Sequence, residues 1–151
     1  ENITVFDWDG SDTEEGYQCP ALTTVVAMLN KHPNDAHASN CLGEFFFRTG
    51  NAVGFDWGED DELAGLINAP SQFKGKTYSR LDGYLRVIAD PHAEADDKSY
   101  ALYRAISCFA PSGNNDCGDQ EISKKTRKAW FARLKSDYKD TQWADQLKYY
   151  W

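Results

Sequence analysis

Four cysteines, Cys19, Cys41, Cys108 and Cys117, carry the chemistry that most constrains this chain. An even set of four allows three pairings, and sequence order favours Cys19 with Cys41 and Cys108 with Cys117. In a modest acidic chain such a set points to an oxidising compartment, periplasmic or extracellular. The other reading is four reduced, buried thiols in a cytosolic protein. A zinc site competes for two of the same sulfurs. His37 and Cys41 stand at i and i+4, and Cys19 and His32 could complete the ligand set. Zinc requires thiolate sulfurs and about four converging ligands. A Cys19–Cys41 bridge and a zinc ion therefore exclude each other, and the spacing matches no familiar zinc motif. No metal and no cofactor is expected, with His37 a surface residue beside a turn and His92 a loop residue.

Two carboxylate groupings come next. Asp7-Trp8-Asp9-Gly10-Ser11 resembles the start of a calcium loop, with oxygens at Asp9, Ser11, Thr13 and Glu15 in alternate positions. Position six is Asp12 rather than glycine, and position twelve is Gln18 rather than a bidentate glutamate. A turn is expected instead, with Phe6 and Trp8 packed on the first helix. Glu44 lies in an aromatic helix, a setting in which a general acid can be built. It resembles the single glutamate of lytic transglycosylases, but Phe45 follows it where that family has serine. Gly-rich phosphate loops, Cys-x-x-Cys, His-Glu-x-x-His and Gly-x-Ser-x-Gly are all missing. The chain does not read as an enzyme.

These residues must be positioned by helices. Leu22, Val25, Val26 and Leu29 recur at i, i+3, i+4 and i+7, the stripe of an amphipathic helix. Ala38, Cys41, Leu42, Phe45 and Phe46 repeat the pattern. Between them Pro33 stops one helix, and Asn34 or Asp35 caps the next. Glu59 to Glu62 can open a short helix with Leu63, Leu66 and Ile67 as its apolar side. Leu81, Tyr84, Leu85 and Ile88 make another stripe, ending at Asp90-Pro91. A partner helix starts near Asp96 and carries Ala101, Leu102, Ala105, Ile106 and Phe109. Ala110 to Asp116 is rich in turn residues, and a Cys108–Cys117 bridge would pin it as a connector or a binding loop. Ile122 to Tyr138 reads as a basic helix, and Thr141 caps a last one running through Trp143, Ala144, Leu147 and Trp151. The fold class is all-α: stacked helical hairpins in one domain, residues 1–151.

The stretch from Cys19 to Gly50 resembles the tetratricopeptide repeat (TPR). With Ala36 as the first residue of a repeat, Leu42-Gly43, Phe46 and Gly50 match its Leu-Gly pair, large aromatic and helix-ending glycine, and Glu44 follows the Leu-Gly pair at a position where the repeat ordinarily has an exposed polar residue. One period earlier, Ala21, Val25, Met28 and Pro33 fall near the repeat's small, large, small and proline positions. Asp137-Tyr138-x-x-Thr141-x-Trp143-Ala144 is similar to the repeat junctions of envelope tetratricopeptide lipoproteins, with Lys139 where proline is usual. The resemblance implies a short, irregular TPR-like solenoid, disulfide-stapled, acting as a non-catalytic scaffold of the bacterial cell envelope or exterior. It would bind a protein or peptide partner, with Phe46, Trp57, Tyr149, Tyr150 and Trp151 as candidate contacts.

Composition narrows the classes further. Apolar content of 41% and aromatic content of 14% argue for a packed core in 151 residues. No apolar run approaches the ~18 residues of a membrane helix. The absence of an initial methionine suggests a trimmed chain whose leader is gone. Net charge is −8, which disfavours nucleic acid. Thirteen acids in residues 1–62 face only Lys31 and Arg48, whereas Glu121 to Trp151 holds eight bases against four acids. Such a charge dipole suits head-to-tail self-association into a filament as an alternative role.

Overall fold

The computed structural model describes residues 3–50 and 78–151. A 3-10 turn over Ile3–Asp7 is followed by six α-helices among the described residues. They are α1 (Leu22–Lys31), α2 (Ala36–Thr49), α3 (Arg80–Ala89), α4 (Ala95–Ser107), α5 (Lys124–Asp137) and α6 (Gln142–Gln146). Trp57 and the expected helix after Glu59 lie outside the described residues.

Side-chain caps explain several starts. Asp35 accepts from the Ala38 N–H, Ser79 from Asp82, Ser123 from Thr126 and Thr141 from Ala144. Each satisfies one of the N–H groups that a helix start leaves unpaired. Gly50 closes α2 at φ 68°, a left-handed conformation that costs glycine nothing. Both predicted helix pairs form, α1 packing on α2 and α3 on α4. α4 also meets α2, α5 and α6, so it runs through the centre. Its Ser99, Tyr100, Ala101, Leu102, Arg104, Ala105 and Ile106 are all buried, too many for one stripe. A helix covered on most sides must be apolar or small nearly all round, or hold internally paired charge. The segment meets both demands.

The fold is all-α among the described residues, with two disulfides. Cys19 bonds Cys41 and Cys108 bonds Cys117. The first ties the N-terminal arm, residues 8–21, to α2; the second closes the loop after α4. That loop is held at many points: Arg127 donates to the Gly113 carbonyl, Asn115 to the Gln120 carbonyl and Arg80 to that of Asp116. No described helix is long and apolar enough to cross a membrane.

The N-terminal segment meets both helices of the first pair: Phe6 and Trp8 put their rings on Phe45 of α2, the turn over Ile3–Asp7 touches α1, and the Trp8 carbonyl accepts from the Leu22 N–H. Two local expectations change. Val26 is 44% exposed, because the contact with α2 is centred on Leu22 and Val25. α6 stops at Gln146, and residues 147–151 continue without helix. Leu147 is nevertheless buried, and Tyr150 packs its ring on Phe131 at 5.4 Å, so tertiary contacts replace helical ones.

Candidate functional site

The helix centres hold a charged cluster that begins with Glu44. Its place on α2, one turn after Asn40 and Cys41, points it at α4, and its side chain is fully buried. Arg104 meets it side-on: Nε lies 2.6 Å from Oε1 and Nη2 lies 2.8 Å from Oε2. Arg104 Nε also reaches the Tyr100 hydroxyl at 3.0 Å. From one turn along α2, Arg48 Nε donates to Glu44 Oε2 at 3.3 Å. The arm completes the group, since Glu14 Oε1 accepts from both Arg48 and Arg104 at 3.0 Å. Burial opposes the Arg104 charge, but the facing Glu44 carboxylate outweighs it and holds the guanidinium pKa above its ordinary value. Glu44 is thus neither the exposed repeat position nor a carboxyl open to a substrate. Its oxygens are occupied by guanidinium donors and it is sealed from solvent.

Phe47 sits on the outer side of this cluster. It is 43% exposed, and three guanidinium groups surround its ring. Arg104 stands 4.7 Å from the ring centroid, Arg48 5.0 Å and Arg80 5.0 Å. These distances are within cation–π range. The ring is thereby held on a rigid base, with Arg104 anchored below by Glu44. No other exposed aromatic in the described residues carries such a setting: Phe6 rests on Phe45, and Tyr149 is 70% exposed at the tail.

The sequence candidates are dispersed. Phe46 is half-buried and stacks on Tyr78 at 4.7 Å. Tyr150 and Trp151 are half-buried beside α5 and the loop at Gly113. Trp57 lies outside the described residues. Phe47, with its exposed ring among three guanidinium groups, was not among the residues that sequence reasoning singled out. The signal available was its adjacency to Arg48; Arg80 and Arg104 come from other helices.

A second polar network links the arm to α2 and α4. Tyr17 donates to Asp97 Oδ1 at 2.6 Å and stacks on Tyr100 with centroids 3.7 Å apart. Asn40 Nδ2 donates to the Tyr17 hydroxyl at 2.9 Å and to the Asp97 carbonyl at 3.0 Å. His37 lies between Asp97 and the Gln18 carbonyl. Burial, and then the Asp97 charge, push the Tyr17 phenol far above its ordinary pKa. Tyr17 is therefore a structural donor here.

The metal candidates resolve simply. The sulfurs of Cys19 and Cys41 are joined to each other, so the zinc set with His32 and His37 does not form. Near Asp7 and Asp9, Asp9 accepts from the Ser11 N–H and Asp12 from the Trp8 indole. Among the described residues no three His, Cys, Asp or Glu side chains converge as a metal site. A 440 Å³ hollow between the two helix turns is lined by Pro33, Ser39, Arg86, Val87, Asp90 and His92, and it opens partly to solvent. No family model matches the chain, and no curated protein or solved structure was found to be similar to it.

Proposed function

We propose that this protein is a non-catalytic binding module that works outside the reducing cytosol and takes an acidic segment of a protein partner on the Phe47 face. The observation that carries the reading is an exposed aromatic ring held among the guanidinium groups of Arg48, Arg80 and Arg104. Aromatic and arginine side chains are the residues that most often dominate binding energy, above all when they are held in place beforehand. A carboxylate approaching that ring meets the partly exposed guanidinium groups of Arg48 and Arg80, with Arg104 turned inward onto Glu44 and Glu14, while its chain lies on the apolar face. The tetratricopeptide resemblance supports the same role, as a scaffold of the bacterial cell envelope or exterior. Two disulfides are the expected staples of such a compartment.

The test is calorimetric titration with three decapeptides of equal length, one glutamate-rich, one neutral and one lysine-rich. Saturable binding of the acidic peptide alone, weakened by salt, supports the reading. Equal binding of all three, or none, overturns it. Self-assembly is the second reading, favoured by the basic tail ending near the exposed Tyr149. Large particles that dissolve in high salt would select it over a persistent monomer.

A further inference from the structure

Both ring nitrogens of His37 face oxygen acceptors. Nδ1 lies 3.2 Å from Asp97 Oδ1, and Nε2 lies 2.9 Å from the Gln18 carbonyl oxygen. A carbonyl oxygen cannot donate, and neither can an ionised carboxylate. A neutral imidazole has one N–H, so it satisfies one of these neighbours and turns a lone pair on the other. The imidazolium alone donates to both. The three partners come from three places in the fold: Gln18 from the arm, His37 from the first turn of α2, and Asp97 from the first turn of α4. We infer that His37 is a proton-operated latch, closing the acidic N-terminal arm onto α2 and α4 when charged and loosening it when neutral.

The charged groups that face His37 agree with this. Asp97 approaches from α4, and Asp35 stands at the start of α2; both are acidic. From the arm comes the Tyr17 ring, 4.9 Å away, and from α2 itself the Cys41 Sγ of the Cys19–Cys41 bridge, 3.6 Å from Nε2. The bond to Asp97 raises the His37 pKa above its ordinary value, against the opposing pull of burial. On deprotonation the remaining proton stays with the anionic Asp97, and the Nε2 lone pair then opposes the Gln18 carbonyl. The disulfide keeps Cys19 in place, so the opening is confined to the arm before it. That arm also carries Glu14 onto Arg48 and Arg104, so the same proton bears on the Phe47 face. This last consequence rests on the binding reading; the latch itself is read without any partner.

The experiment is paired on the intact, oxidised chain. NMR follows the His37 ring through pH 5–9, and hydrogen exchange, normalised for intrinsic pH dependence, follows amides 11–18 over the same range. The latch predicts that His37 titrates above the value of about 6.5 that a free histidine shows. It further predicts that normalised arm exchange rises about fivefold at the same midpoint, the factor one net hydrogen bond carries. His37→Gln, which does not titrate, must abolish the step. Asp97→Asn must move the His37 midpoint down, and it serves as the second variant should His37→Gln fail to fold. A His37 that titrates at or below the free value, an arm without a step, or a step that persists in His37→Gln each overturns the latch.

Discussion

Glu44 and Arg104 meet side-on at 2.6 and 2.8 Å where α2 crosses α4, one side chain fully buried and the other 6% exposed. A charge pair taken out of water gains little net stability over an apolar pair of similar shape. Removing one partner is different, because the other is left buried and uncompensated. Glu44→Ala should therefore cost about 3–5 kcal/mol of unfolding free energy. Urea denaturation measures it, and a loss under about 1 kcal/mol, the level of an exposed pair, would show that water reaches the site.

Gly43 tests the packing of α2 on α3. A Cβ built there would lie 2.8 Å from the Tyr84 hydroxyl oxygen and ring edge. Tyr84 is itself fully buried, so its ring has little room to retreat. Gly43→Ala should lower stability by about 1–3 kcal/mol through overpacking, despite its better helix propensity. A stabilised variant would mean that α2 and α3 are less closely seated.

Most of the fold was legible in the residues, for identifiable reasons. Periodicity placed α1, α2 and α3 because their apolar residues recur on one side, it reached α4 through Ala101, Leu102, Ala105 and Ile106 although that helix is buried on most sides, and Asp35 and Thr141 announced their caps. Cysteine order gave the pairing that forms. What failed depended on distant partners. Glu44 read as an exposed polar residue because Arg104, which buries with it, is 60 positions away. Phe47 fell off the stripe of α2 and looked unremarkable without Arg80 and Arg104 beside it. Trp143, Leu147 and Trp151 keep helical spacing, yet the chain leaves the helix at Gln146 because its contacts with the core continue without it.

The two bridges should differ in worth. Cys19–Cys41 spans 22 residues and Cys108–Cys117 spans 9. Loop-closure entropy gives about 3.4 kcal/mol for the first and about 2.6 for the second. The double variant Cys19→Ser/Cys41→Ser should melt below Cys108→Ser/Cys117→Ser in calorimetry. It also frees the arm that Glu14, Tyr17 and Gln18 tie down, which widens the gap. The reverse order would place the main stapling role at the loop after α4.

The pair His37 and Asp97 sets the pH range of greatest stability. The His37 pKa is raised in the folded state, so its contribution is full below about 6.5 and is lost as pH rises through the higher folded value. Burial works to raise Asp97, but the bonds from His37 and Tyr17 outweigh it and leave its pKa lowered. Its contribution is present above about 3.9 and is lost as pH falls through the lower folded value. Unfolding free energy measured from pH 2 to 9 should show both declines. Asp97→Asn should flatten them together, and an unchanged profile in that variant would separate the pair from the pH dependence.

If Phe47 and its guanidinium groups form a binding face, Phe47→Ala must weaken binding there. Phe47 is 43% exposed, so truncating it disturbs the core little. Calorimetric titration of the glutamate-rich decapeptide should give at least a tenfold weaker Kd for Phe47→Ala than for the unaltered chain, about 1.4 kcal/mol, with the melting temperature preserved. An affinity equal in the two proteins would contradict the account and place any binding elsewhere on the molecule.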